Sequence, residues 1–292
     1  MRILVTGASG NGGQAVCRAL KQAGYDVRMA DVMPSSAEDL KTLEFVRCDT
    51  RTVSDVRQAV KGMDGVIHLA AWHCAHNPPV SDDTIFAVNV DGTYNVLEAC
   101  RQEGVKAIVY ASSMAYGWWS VYGVTKVIGE DLCKTYQNMT GASIAMLRYH
   151  EFIPRPYLEF GSRLLQNGID RRDVAAATVA AIRAALDRRF ELFQTVIHTN
   201  HGMPSEVVKD FRNKGPAWCE SQVEGAQALI EKYKLVLPNQ VEQHDLSEAE
   251  RLLDWKPRIG FIEFLCDLKL RDEQGLDVHE LFIPSELPEV QK

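Results

Sequence analysis

The chain has 292 residues, 46% of them hydrophobic and 24% charged, the balance of an ordinary globular protein with ample material for a core. A formal net charge of −7 argues against a nucleic acid or an anionic membrane surface as the main partner. No apolar run approaches a membrane span, the first strand leaves no room for a leader, and the seven cysteines are scattered without a C-x-x-C pair, so free thiols in a reducing cytoplasm are expected.

Ile3, Leu4 and Val5 read as a buried parallel strand. Thr6-Gly7-Ala8-Ser9-Gly10-Asn11-Gly12-Gly13 follows directly, ahead of a helical pattern carried by Ala15, Val16, Ala19 and Leu20. Strand, glycine turn and helix form the context in which a glycine motif points to a dinucleotide. Gly7 permits the tight turn, Gly10 lets the backbone approach a pyrophosphate, and Gly13 lets the helix sit close to the strand. The helix N-terminus then offers free N–H groups to the phosphates. Ser9 and Asn11 lie in the same turn and join the glycines as expected cofactor contacts.

Residues 25–30 form the second expected strand, with Asp31 at its end, where a dinucleotide fold places an acid on the adenosine ribose. A carboxylate accepts hydrogen bonds from both ribose hydroxyls and repels a 2′-phosphate, which favours NAD over NADP. The other reading of Asp31 is a surface residue in a strand-to-loop turn, and Arg28 keeps a phosphate contact open. Residues 45–48 give a third strand followed by Asp49, and residues 52–61 a helix.

Residues 66–71 give a fourth strand, in which His68 reads as a core histidine and the small Ala70 and Ala71 let the backbone run beside a cofactor. Trp72-His73-Cys74-Ala75-His76 is expected to line the mouth of the site. Its H-x-x-H pair lacks further ligands nearby in sequence, so no metal is expected. Residues 81–103 read as one long helix with Phe86, Val90, Tyr94 and Leu97 on its apolar side, and residues 105–111 as a strand buried on both faces.

Ser112-Ser113 follows that strand, and Tyr122 and Lys126 stand four apart on the next helix, on one face. A nearby ammonium makes the phenolate easier to form, so Tyr122 suits a general acid or base. A strand is expected over 142–148, a helix up to about residue 186, a strand over 190–198, helices over 222–233 and 245–253, and a loosely attached tail after Gly275.

These motifs together resemble the extended short-chain dehydrogenase/reductase superfamily, in its NAD-dependent epimerase/dehydratase family. The matching stretches are the glycine turn, Asp31, His68-Leu69-Ala70-Ala71, Asn89-Val90-Asp91-Gly92-Thr93, Ser112-Ser113, Tyr122 with Lys126, and Trp255-Lys256-Pro257. The resemblance implies an α/β fold, a doubly wound parallel sheet (Rossmann fold), with a smaller C-terminal α/β substrate lobe. The expected division is an NAD-binding domain over 1–154 and a mainly substrate-binding lobe over 155–292 that returns some elements to the sheet. It implies hydride transfer between nicotinamide and a sugar-type carbinol (a sugar, sugar acid or nucleotide sugar). Ser113, Tyr122 and Lys126 are then catalytic, Asp49 contacts adenine, and Asn89, Ser112 and Lys126 join the cofactor contacts.

A homodimer through the 81–103 and 122–139 helices is implied as well. Two stretches depart from the family: the junction between Ser113 and Tyr122 is short, and Leu147-Arg148-Tyr149-His150 replaces the usual L-R-P. Trp72, His73, Trp118, His150 and Arg155 are the candidate substrate contacts, with Arg163 a further candidate for an anion. The short junction also supports a rival reading, a dinucleotide-binding regulatory or scaffold protein with little or no catalysis.

Overall fold

The computed structural model describes residues 1–74 and 78–284. It divides into two compact units. The first comprises Met1–Tyr149, Ala175–Val196 and Glu248–Trp255; the second comprises His150–Val174, Ile197–Ser247 and the described residues from Lys256 onward.

The first unit runs β1 (Arg2–Thr6), α1 (Asn11–Gln22), β2 (Asp26–Asp31), β3 (Glu44–Arg47), α2 (Val53–Val60), β4 (Gly65–His68), α3 (Asp82–Phe86), α4 (Gly92–Glu103), β5 (Ala107–Ser113), α5 (Val121–Thr140) and β6 (Ser143–Tyr149). The strand Leu192–Ile197 completes a seven-stranded sheet in the order β3-β2-β1-β4-β5-β6 and then that strand, with the pairings from β3 to β6 parallel. This is the Rossmann-type α/β architecture expected from the sequence.

β1, β4 and β5 are apolar and buried almost throughout because helices cover both faces of the sheet. One core joins Leu4, Val66, Ile108 and Met146 from the strands to Val56, Val96, Leu97 and Tyr136 from α2, α4 and α5. Each large aliphatic side chain so buried contributes about 1.5–3 kcal/mol. The Ala-rich helix Arg171–Leu186 brings Ile182 so close to the first residue of β4 that a Cβ on Gly65 would lie 3.0 Å from Ile182 Cδ1.

The single helix expected over 81–103 is interrupted. Ser81 caps α3 by accepting the Thr84 N–H, and Ala87–Asp91 then forms a π turn before α4 begins. Such a widened turn re-aims the side chains on it, and Asn89 is one of them.

The second unit has its own core, built on Tyr157, Phe211, Phe261, Phe264, Leu265 and Leu268. Its helices Phe211–Gln222 and Phe261–Gln274 are not among the elements expected from the sequence. The first carries Gly215-Pro216, yet Gly215 fits because a Cβ there would meet the Phe211 ring at 2.7 Å. Beyond Gly275 the chain is not loose as far as residue 284: Leu281–Phe282 pairs antiparallel with Arg155–Pro156.

Candidate active site

The glycine turn leaves β1 with Gly7 at φ +67°, and a Cβ there would sit 2.7 Å from the Ala70 backbone nitrogen. A Cβ on Gly13 would lie 2.1 Å from the Gly7 carbonyl oxygen, so α1 starts in direct contact with the turn. Gly10 is the N-cap of α1, exposed and without a side-chain cap. Asn11 opens the helix. These are the features of a cradle for a pyrophosphate.

Asp31 ends β2 beside that cradle. Its Oδ2 accepts the Ser9 N–H at 2.9 Å and its Oδ1 accepts the Val32 N–H at 2.7 Å. The Ser9 hydroxyl donates to the Met33 carbonyl at 2.6 Å, so turn and acid hold one another in place. Asp49 is differently placed. The Arg51 guanidinium grips its carboxylate, at 2.6 Å from Nη2 to Oδ2, and holds it below the usual carboxylate range. An adenine contact there competes with that ion pair.

Ala70 and Ala71 lie half-buried just past β4, and the Ala70 N–H donates to Thr6 Oγ1 at 3.3 Å. His68 is a core histidine: its ring nitrogens meet Thr6 Oγ1 at 2.7 Å and Thr93 Oγ1 at 3.0 Å. Burial pushes its pKa down to about 3. Asn89 acts as a brace. Its Oδ1 accepts the Trp72 N–H at 2.8 Å, and its Nδ2 donates to the Trp72 carbonyl and to Thr125 Oγ1, both at 3.0 Å. The loop after β4 is thereby tied to α5.

Ser113, Tyr122 and Lys126 come together at the end of β5. The short junction closes as consecutive tight turns, with the Tyr116 N–H on the Ser113 carbonyl and the Trp118 N–H on the Ala115 carbonyl, each 2.9 Å. Ser120 then caps α5 by accepting the Gly123 N–H at 3.0 Å. The Ser113 hydroxyl lies close enough to the Tyr122 phenol to lower its pKa, but burial outweighs it and pushes the phenol up to about 12. The expectation that Lys126 brings the phenol down is therefore not met. Lys126 Nζ instead donates to the Ala111 carbonyl at 2.8 Å and stands 5.6 Å from the Tyr122 ring centroid. Burial lowers its own pKa to about 8, with Glu130 opposing that shift.

Ser112 is turned inward. Its hydroxyl donates to Glu130 Oε1 at 2.6 Å, so any part it takes in holding a cofactor falls to its backbone. Arg148 makes a bidentate pair with the same carboxylate, at 2.8 Å for both contacts, and lies 3.7 Å over the Tyr116 ring. Glu130 and Arg148 were missed in the sequence. The available signal was an acid four residues beyond Lys126 on the same helix, opposite a charge in an otherwise apolar strand.

Among the candidate substrate contacts, Trp72 packs against Ile85, Ala115 and Tyr122, and the His73 ring lies 4.3 Å from the Tyr122 ring. Trp118 is exposed. His76 lies outside the described residues. Arg155 is not a free anion contact, because Glu151 and Glu159 neutralise its guanidinium, and Arg163 also pairs with Glu151. His150 lies in the second unit and meets other histidines there.

Residues 3–172 match the sequence model of the NAD dependent epimerase/dehydratase family. A uronate dehydrogenase of Pseudomonas putida is 29% identical over 171 residues, covering 53% of this chain and 62% of that protein. An L-arabinose 1-dehydrogenase (NAD(P)(+)) of Haloferax volcanii is 32% identical over 175 residues, 50% of this chain and 65% of its own. A uronate dehydrogenase of Agrobacterium fabrum is 30% identical over 199 residues, 63% and 72% of the two chains. The matched part thus spans just under two thirds of the first two relatives. Among solved structures, a UDP-glucose-4-epimerase from Stenotrophomonas maltophila with bound NAD and formylated UDP-arabinopyranose shares the fold at a TM-score of 0.68 and 20% identity, over 94% of this chain and 99% of that one.

Proposed function

Because the chain belongs to the NAD dependent epimerase/dehydratase family, we propose that it is an NAD-dependent oxidoreductase that oxidises a sugar-type carbinol, with a free sugar or sugar acid as substrate. The observation that carries this reading is the meeting of Ser113 with Tyr122, one helical turn from Lys126, across a short junction. The uronate and arabinose dehydrogenases among its relatives favour the small substrate over a nucleotide sugar.

Gly7, Gly10 and Gly13 would hold the pyrophosphate of NAD, and Asp31 the adenosine ribose. Bound there, NAD supplies the acceptor for the hydride that leaves the carbinol carbon. Tyr122 takes the hydroxyl proton as the carbonyl forms, and returns it in the reverse direction. Ser113 donates to the same oxygen and fixes its position. Lys126, one helical turn further along α5, would hold the nicotinamide ribose. Asn89 keeps Trp72 and its loop in register with α5.

The chain's enzyme relatives weigh against the scaffold alternative. Exposed Phe86 and Tyr94 on the helices around residues 82–103, with Val124 and Met139 on α5, support the expected homodimer. No helix among the described residues is long and apolar enough to cross a membrane, and the free cysteines fit a reducing cytoplasm. The test is purified protein with NAD and a panel of uronates, free aldoses and UDP-sugars. NADH should accumulate with a uronate or aldose and fail to do so in Tyr122→Phe. NAD binding without turnover of any member would sink the proposal.

A further inference from the structure

His150, His198 and His244 converge within the second unit, with one ring nitrogen of each within 4.8 Å of the others. The ring centroids are 4.1 Å apart for His150 and His198, 4.9 Å for His150 and His244, and 5.1 Å for His198 and His244. His150 and His198 are buried, at 3% and 0% exposure, while His244 reaches the surface. Glu242 stands beside them, its Oε1 at 2.9 Å from His244 Nε2 and 3.7 Å from His150 Nε2.

The hydrogen bonds of this cluster leave one ring nitrogen with an unused lone pair. His198 Nε2 is 2.7 Å from the Gln166 carbonyl, which only accepts, so Nε2 carries the proton and Nδ1 is bare. That Nδ1 is buried with no hydrogen-bond partner. His150 Nε2 and His244 Nε2 face each other at 3.1 Å. An uncompensated buried lone pair costs free energy, and a cation removes that cost.

We propose that His150, His198 and His244, with Glu242 as fourth ligand, bind a divalent transition-metal ion of the zinc class. Metal–nitrogen bonds of about 2.0–2.1 Å at tetrahedral angles put ligand nitrogens roughly 3.3–3.4 Å apart. The His150–His244 and Glu242–His244 separations of 3.1 and 2.9 Å are already close to that, and the His198 ring has to approach by about 1.5 Å at most. Three imidazoles and one carboxylate select zinc, cobalt or nickel over magnesium or calcium. The His198 Nε2–H on the Gln166 carbonyl is the outer hydrogen bond that fixes the tautomer of a metal-bound histidine.

Such an ion has a mechanical use. Glu242 and His244 lie on residues 235–246, which have no regular secondary structure. A metal clip fastens that segment to the chain at His150 and to the end of the strand at His198, and so stabilises the second unit independently of the chemistry assigned to the first.

The full chain, stripped with a chelator and dialysed, should take up about one zinc ion per molecule by titration calorimetry and elemental analysis, and none of an equal concentration of magnesium. Cobalt should give the visible absorption of a tetrahedral nitrogen–oxygen site. His244→Ala, at the partly exposed position where the fold tolerates truncation, should weaken zinc by more than about tenfold and lose the thermal stabilisation by zinc. His279→Ala, at an exposed histidine elsewhere, should change neither. Should His244→Ala fail to fold, Glu242→Gln must show the same loss more weakly. No zinc uptake by the wild-type chain, or uptake unchanged in the folded His244→Ala or Glu242→Gln protein, overturns the proposal.

Discussion

Ser112 donates its hydroxyl to Oε1 of Glu130 at 2.6 Å, while its neighbour Ser113 faces Tyr122. Two adjacent serines at the end of one strand thus serve different layers, because successive strand residues point to opposite faces. Glu130 is fully buried, and its charge is matched by Arg148 and opposes the fall of the Lys126 pKa. Removing that charge with Glu130→Gln should have two effects. Arg148 loses its bidentate partner, so the denaturant midpoint should fall by the equivalent of about 3 kcal/mol. The Lys126 titration should move further down, shifting the pH profile of NAD oxidoreduction to lower pH. An unchanged midpoint and profile would remove Glu130 from the site.

Tyr122→Phe keeps the ring in its buried place against His73 and Trp72 and removes only the phenolic oxygen. It should lower kcat by about 10²–10⁴-fold with little change in NAD affinity. Ser113→Ala removes one hydrogen bond to the reacting oxygen, a smaller loss of about tenfold to a hundredfold. Steady-state kinetics beside calorimetric NAD titration separates the two. A Tyr122→Phe enzyme as fast as wild type would refute the assignment.

The strands and the glycine turn were legible because their signals are local: continuous apolar runs, glycines at fixed spacing, and Tyr122 and Lys126 one turn apart. What escaped is set by which side chains meet in the fold, whether near or far in sequence. Arg155 reads as an anion contact until Glu151 and Glu159 are seen to neutralise it. Asp49 reads as an adenine contact until Arg51 is seen on it. The π turn at Asn89 leaves no periodic trace, since one widened turn merely rotates the apolar stripe. His150 and His244 are 94 positions apart and on no shared motif, so only the folded chain brings them together. The helix Phe261–Gln274 buries Phe261, Phe264, Leu265 and Leu268, a helical spacing that was present in the sequence and went unread.

His68 makes the first unit acid-sensitive. Its pKa falls from 6.5 to about 3 through burial, with the Lys126 ammonium adding to the shift. The folded state therefore binds this proton more weakly than the unfolded chain. Its contribution is fully present above the unfolded value and is lost as pH falls through 6.5 toward 3. By about pH 5 the loss from this one group is on the order of 2 kcal/mol. The thermal midpoint should thus be flat near neutrality and fall on acidification, and His68→Gln should show a shallower fall from a lower starting point. Parallel curves for the two proteins would rule out His68 as a source of the slope.

Gly13→Ala tests the cradle itself. The added methyl carbon would lie 2.1 Å from the Gly7 carbonyl oxygen and 2.6 Å from Ala8 Cα, both backbone atoms, so α1 has to move away from the turn. That shift opens the start of the helix where the pyrophosphate is expected to sit. It should weaken NAD by more than about tenfold, equivalent to 1.4 kcal/mol, and cost about 1–3 kcal/mol of stability by overpacking. Gly24→Ala is the matched control. Gly24 has φ +81° and nothing within 4 Å of its added carbon, so its cost is the left-handed backbone alone, about 1–2 kcal/mol. It should lower the thermal midpoint to a similar degree while leaving NAD affinity at the wild-type value. Equal losses of NAD affinity in both variants would mean that general destabilisation, rather than the approach of α1 to the glycine turn, governs binding.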